Sequence, residues 1–411
     1  MLYSLHELQR QILRPLAEMA GATADVLAGQ TLFPARIMRA HCALLHRTIK
    51  DYRKPRFGLG TTIAHGREVA VVEHILVSGP FCRLVRFTRT SQDPATAAAL
   101  AADPKVLVCA PLSGHHPTLL RDTVATLLPE HDVYITDWVD ARDVPVAAGP
   151  FHLDDYVALI QGLVRELGPE LHLLAVCQPT VPVLAAVSLM ATAGEPTPLS
   201  MTLMGGPIDP RQNPTQVNRF AIDHSLSWFA TNMIHRVPAS YPGHGREVYP
   251  GFLQLAAFVM MNPGRHALAH QAYWFDQLRG RRGTAAVEAH ERFYDEYNAV
   301  LDMDAAYYLD TVKTVFQECA LPRGTWTVAG RLVQPAAITR TALFTIEGAL
   351  DDISGLGQTE AALVLCRGIP AAHKRHMIAA ECGHYGLFSG HRWRETIYPE
   401  LRAFIRAHEA P

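Results

Sequence analysis

The chain has 411 residues, 49% of them hydrophobic and 18% charged, enough to bury a large core in one big domain with an insertion or in two ordinary domains. Its 37 basic and 39 acidic residues nearly cancel to a net charge of -2, which speaks against nucleic acid or an anionic membrane as a partner. The cysteines number 7, are scattered and form no CxxC pair, which speaks against a disulfide framework, and no apolar run reaches the length of a membrane-spanning helix.

At the N-terminus, MLYSLHELQRQILRPLAEMA lacks the basic and apolar regions of a signal peptide, and the expected location is the cytoplasm. Leu2, Leu5, Leu8, Ile12 and Leu16 recur at helical spacing and predict an amphipathic helix. Such a face is expected to dock on the body or on a second copy in a homodimer, with adsorption to an apolar surface as the other use. Strands at 70–76 and 84–88 form a hairpin pair. From Lys105 onward short apolar runs at 106–109, 133–136, 171–176, 201–204, 342–346 and 376–379 alternate with helical patterns at 117–127, 153–167, 179–190, 358–366 and 393–408. That alternation predicts an α/β fold with a mostly parallel central sheet and helices on both faces.

The rhythm breaks between Ile208 and Arg340, where the chain turns polar, aromatic and proline-bearing, with helical patterns at 292–298 and 305–316. An inserted, mainly helical cap is expected there, over the face where such sheets bind ligands. The organisation is thus an N-terminal helical segment at 1–60, a core at 61–207 and 341–411, and a cap at 208–340. No phosphate-binding glycine loop occurs, and Gly355-Leu-Gly357 lacks a third glycine, so no nucleotide cofactor is expected. The adjacent His115 and His116 fall in no metal motif, and no metal is expected.

LHLLAVCQPTVPVLAAVSLMA is an apolar strand, a sharp turn at Cys177 and a helix of small residues, the arrangement that presents a nucleophile above an α/β sheet. A lone cysteine is as often a buried apolar residue, but a thiol at a helix N-terminus can ionise and attack an acyl carbon. Small residues are expected around such a turn, and Ala175 and Pro179 depart from the glycines usual there. An acid and a base belong on loops after the late strands. TALFTIEGALDDISG supplies Asp351, preferred over Asp352, and HMIAAECGHYGLFSG supplies His384. Oxyanion donors are expected from the amides of Gln178 and of Ser113, with Leu112 as the neighbour of Ser113, on the loop APLSGHHPTLLRDT. Trp138, Tyr156 and 241–245 are read as packing residues before site residues.

The chain resembles the intracellular polyhydroxybutyrate (polyhydroxyalkanoate) depolymerases of storage granules, within the α/β-hydrolase superfamily. The resemblance rests on MLYSLHELQR, APLSGHHPTLLRDTV, VCQPTVPVLAA, LMGGPIDPR, YPGHGREVYPGF, RFYDEYNAVLDM, EGALDDISGLGQT and CGHYGLFSGHRWR. It implies Cys177, Asp351 and His384 as the triad and hydrolysis of amorphous short-chain poly(3-hydroxybutyrate) to 3-hydroxybutyrate and oligomers. It also implies the granule surface as partner, which is a use for the amphipathic N-terminus. The chain is similar as well to polyhydroxyalkanoate synthases, so acyl transfer to a growing polymer is the alternative, alongside a small-ester hydrolase or thioesterase.

Overall fold

The computed structural model describes residues 2–261, 263–280 and 284–409. Nine strands form one sheet: β1 (Thr61–Ala64), β2 (Arg67–Ser78), β3 (Cys82–Thr90), β4 (Lys105–Cys109), β5 (Asp132–Trp138), β6 (Leu171–Val176), β7 (Ser200–Met204), β8 (Ala342–Gly348) and β9 (Lys374–Ala379). Their order across the sheet is β1-β2-β3-β5-β4-β6-β7-β8-β9. The first three run antiparallel to their neighbours and the rest are parallel, as in the α/β-hydrolase fold. Every residue of β5, β6, β7 and β8 is buried, which is why these strands read as largely apolar runs rather than as an apolar–polar alternation. The hairpin of β2 and β3 extends past its expected bounds, and β1 adds an edge strand that no apolar run announced.

Helices α1 (Leu2–Val26) and α2 (Phe33–Ile49) pack on each other before the sheet begins. Within the sheet, α3 (Pro94–Ala102), α4 (Arg121–Leu127), α5 (Leu153–Leu167) and α6 (Thr180–Thr192) connect the strands. Three helical expectations are modified. The 117–127 pattern opens as a 3-10 turn, Pro117–Leu120, before α4. In 358–366 only Ala361–Leu365 is helical, because the Glu347 carboxylate takes the amides of Thr359 and Glu360 and holds the first turn open. The last helix opens earlier than expected, as an α turn at Gly390–Arg392, passes through a π turn, Trp393–Ile397, and continues as Tyr398–Arg406; Pro399 lacks the N–H that the regular ladder would need.

Between β7 and β8 lie α7 (Gln216–Asp223), α8 (Leu226–Asn232), α9 (Gly251–Met261), α10 (Pro263–Leu278), α11 (Ala285–Tyr297) and α12 (Ala305–Thr311). A small antiparallel sheet of His235–Arg236, Glu247–Tyr249 and Met303–Asp304 ties them together. The helical pattern at 305–316 divides into α12 and a π turn, Val312–Gln317. Arg246 fastens this region to the core. Its guanidinium donates to the carbonyls of Val144, Pro145 and Gly149 and to Asp304 Oδ2 at 2.6 Å. Gly243 lies so close to the same loop that a Cβ would come 2.6 Å from the Arg142 carbonyl oxygen.

The N-terminal helix docks on the body by the face opposite its leucine stripe. Leu2, Leu5, Leu8, Ile12 and Leu16 face solvent, between 39% and 66% exposed, while Tyr3, Glu7, Ala17 and Ala20 are buried. Tyr3 donates to Asp302 Oδ2 at 2.6 Å, and Arg10 donates to Tyr241, whose hydroxyl donates to Glu7. The docking face is therefore built from polar anchors and small residues, and the leucine stripe is left uncovered.

Candidate active site

Strand β6 delivers the chain to Cys177, whose φ is 67°. A left-handed conformation at a residue with a side chain is strained, and it survives where the surroundings over-determine it. Here the Cys177 amide donates to the Met204 carbonyl at 2.7 Å, and its carbonyl accepts from the Thr180 amide at 3.1 Å and from Thr180 Oγ1 at 2.9 Å. Pro179 is already helical, with φ -57°, and sits at the start of α6 where no N–H is required. Ala175 is fully buried. The space that flanking glycines would give comes instead from Gly206, on the segment after β7: a Cβ there would lie 1.8 Å from Thr180 Oγ1 and 2.4 Å from the Cys177 carbonyl oxygen. The departure at Ala175 and Pro179 is thus met by a glycine from the neighbouring connection, a link that no local spacing discloses.

Asp351 follows β8, and its Oδ2 lies 2.7 Å from His384 Nδ1. Its other oxygen accepts the amides of Ile353 at 2.9 Å and Ser354 at 2.8 Å, which aims the carboxylate at the ring. The Asp351 side chain is fully buried whereas Asp352 is exposed, so the structure brings Asp351 and not its neighbour to His384. His384 opens the short turn His384–Leu387 after β9. Burial opposes a charge on its ring, but the Asp351 carboxylate and then Cys177, by charge and hydrogen bonding, outweigh this and hold His384 well above the ordinary histidine value. With Nδ1 engaged by Asp351, Nε2 is the nitrogen left for Cys177.

Cys177, Gln178, His384, Ser113 and Leu112 all line one cavity of about 490 Å³, a size suited to a small-molecule ligand. Its remaining wall is mostly apolar and drawn from the region between β7 and β8, including Phe220, Phe229, Phe258, Met260 and Tyr308. That region therefore covers the ends of the parallel strands. His115 also faces the cavity; its Nε2 sits 3.1 Å from the Tyr297 carbonyl, and burial pushes its pKa down to about 4, so it is a neutral packing and lining residue. His116 is lowered to about 3, by burial first and nearby cations second. A larger open crevice of about 770 Å³, lined by polar residues such as His152, Asp154 and Asp310, contains none of these groups.

Glu347, Glu360 and His376 bring potential metal-ligand atoms within 4.8 Å of one another. The Glu347 oxygens already accept the amides of Gly357, Thr359 and Glu360, so this carboxylate fastens a loop. Trp138 and Tyr156 pack against each other with ring centroids 4.6 Å apart, and both donate to the Ala110 carbonyl. Neither they nor Tyr241 lines the cavity. All 7 cysteines are unpaired thiols.

The chain is similar to several solved structures. A 2-hydroxy-6-oxo-6-phenylhexa-2,4-dienoate hydrolase from Rhodococcus sp. strain RHA1 is 14% identical, covers 82% of this chain and 99% of its own, and superposes with a TM-score of 0.41. A thermophilic esterase from Thermogutta terrifontis is 12% identical over 85% of this chain and 98% of its own, with a TM-score of 0.40. A monoacylglycerol lipase from Paleococcus ferrophilus is 11% identical over 74% of this chain and 95% of its own, with a TM-score of 0.43. Likeness at this distance says nothing of substrate. No curated protein matches the chain. Residues 205–409, which include Asp351, His384 and the whole region over the cavity, match the family described as "PHB de-polymerase C-terminus". Joined to a sheet of α/β-hydrolase topology, that match places the chain in the polyhydroxybutyrate depolymerase family of the α/β-hydrolase superfamily.

Proposed function

We propose that Cys177, His384 and Asp351 form the catalytic triad of an ester hydrolase that cleaves amorphous poly(3-hydroxybutyrate) to 3-hydroxybutyrate and its oligomers. The observation that carries the reading is the 2.7 Å contact of Asp351 with His384 beside a cysteine held at positive φ, at the floor of an apolar cavity. In this mechanism His384 takes the proton of Cys177, and the sulfur attacks the ester carbonyl carbon. The oxyanion is received by the amides of Gln178 and Ser113. Collapse breaks the ester C–O bond, His384 returns its proton to the departing alkoxide, and an acyl-thioester remains. Water, giving its proton to His384, then attacks that thioester; the carboxylic acid leaves and Cys177 regains its proton. The upward shift of His384 suits a group that must hold the thiol proton, and Asp351 sets its tautomer.

Residues 208–340 act as the cap, over a core of 61–207 and 341–411 preceded by the helical segment 1–60. Phe220 and Met260 line the cavity and are also 44% and 73% exposed, so it opens at an apolar lip that a polyester chain can cross. The uncovered stripe of α1 provides a second apolar surface, fitted to adsorb on a storage granule in the cytoplasm. Among the described residues no helix is long and apolar enough to cross a membrane.

The test is release of 3-hydroxybutyrate from amorphous granules by wild type and Cys177→Ala, with polymerisation of 3-hydroxybutyryl-coenzyme A assayed in parallel. Release that depends on Cys177 is expected. Polymer growth without release would make the chain a synthase-like acyltransferase. Neither activity would return it to the small-ester hydrolases and thioesterases.

A further inference from the structure

The cavity wall is mostly apolar, and beside Cys177 it carries a patch of polar groups. Gln178, 8% exposed, has both its Nε2 and its Oε1 buried without a hydrogen-bond partner among the protein's atoms. The Tyr307 hydroxyl and Thr311 Oγ1 are in the same condition, and all three residues line the cavity beside Cys177. Tyr307 and Thr311 are four apart on α12, on one face of the helix, and the Tyr307 hydroxyl interacts with both Thr311 and Gln178 without a bond of normal geometry closing. Leaving an amide and two hydroxyls dry is costly, and each group needs a partner.

We propose that Gln178, Tyr307 and Thr311 form a subsite for a free β-hydroxyl on the acyl unit transferred to Cys177, which in a polyester only the unit at the hydroxyl end carries, so that the enzyme removes hydroxyl-terminal 3-hydroxyacyl units in preference to internal, O-acylated ones and to plain alkanoyl esters. The proposal rests on Cys177 being the nucleophile. Gln178 follows Cys177 directly, so its side chain starts one residue from the nucleophile, and the β-carbon of the acyl unit is two bonds from the carbonyl carbon that the sulfur attacks. A hydroxyl both donates and accepts. It can donate to Gln178 Oε1 while accepting from Gln178 Nε2 or Tyr307, which matches an unpaired amide better than an acceptor-only oxygen does. The placement depends on the anchor of α12, whose first residue follows Asp304, itself held by Arg246.

The experiment compares kcat/KM for 4-nitrophenyl 3-hydroxybutyrate, 3-acetoxybutyrate and butyrate in wild type, Gln178→Met, Tyr307→Phe and Thr311→Val. Taking the ratio of two esters within each variant cancels any loss of folded protein and the oxyanion contribution of the Gln178 amide. Wild type should favour the hydroxy ester over butyrate by about tenfold or more, and Gln178→Met should remove most of that preference. Tyr307→Phe and Thr311→Val should each lower it several-fold. A wild-type ratio near one, or a ratio unmoved in all three variants, overturns the subsite while leaving the nucleophile in place. An acetoxy ester cleaved as well as the hydroxy ester overturns recognition of a hydroxyl. If wild type cleaves none of the esters, or Cys177→Ala cleaves them all, the triad reading itself fails.

Discussion

Asp351 and Asp352 are chemically identical neighbours, and only the fold separates them. Two backbone amides hold one Asp351 oxygen so that the other meets His384, and the carboxylate is sealed from water. Replacing Asp351 by Asn would keep the shape and reverse the tautomer preference of the ring, so kcat should fall by roughly three to four orders of magnitude. Asp352→Asn should stay within a few-fold of wild type. Steady-state rates on 4-nitrophenyl butyrate decide this, and equal losses in the two variants would remove Asp351 from its role. The same loop shows what a short motif leaves open: Gly348-x-x-Asp351 placed an acid near the site, but its orientation came from Ile353, Ser354 and the strand carrying His384.

At the scale of elements, α1 is the instructive case. Its apolar period was legible and its direction was not, because hydrogen bonds of Tyr3, Glu7 and Arg10 to residues far along the chain chose the other face for docking. Five large apolar side chains remain half-exposed, and each could contribute on the order of 1 kcal/mol if buried against an apolar solid. The variant Leu5→Ser/Leu8→Ser/Ile12→Ser should therefore lower the ratio of granule-degrading to soluble-ester activity by at least about tenfold. Co-sedimentation with granules measures the adsorption directly. Undiminished sedimentation would assign the stripe to another partner, and a shift in sedimentation equilibrium from dimer to monomer would identify a second copy. The region over the cavity follows a similar logic: Arg246, in YPGHGREVYPGF, fixes it to the core through three carbonyls while Asp304 of the same region holds the guanidinium, a role that its position between Gly245 and Glu247 does not announce.

For the molecule as a whole, the buried imidazoles predict the response to acid. Burial lowers His115, His131 and His172 to about 4 and His116 to about 3, below their value in an unfolded chain. Between roughly pH 6.5 and 4 the unfolded state binds these protons and the native state does not, so stability rises with pH there and each histidine contributes up to about 3 kcal/mol. Two other groups have the opposite sign. Burial first, and then Asp302, raises Asp140 to about 8, and His384 is raised as well; the native state holds those protons longer, and stability falls as pH climbs through and above neutrality. In the acidic window four histidines outweigh the one proton of the aspartate pair. The urea midpoint should therefore peak near pH 6.5–7 and fall steeply by pH 5. A midpoint constant from pH 7 to 5 would show that these rings are hydrated in solution.

By itself the sequence determined the parallel sheet, since strands buried on both faces must be largely apolar and that is a local property of each run. It also singled out Cys177 and His384 as candidates, because an elbow and a loop after a late strand are read within a dozen residues. Tertiary structure alone decided the partner of the elbow at Gly206, the choice of Asp351, the solvent-facing stripe of α1 and the meeting of Gln178 with Tyr307 and Thr311. Each of these joins segments far apart in the chain, and the interaction that fixes it, a steric approach or a hydrogen bond, leaves no periodic trace in either segment.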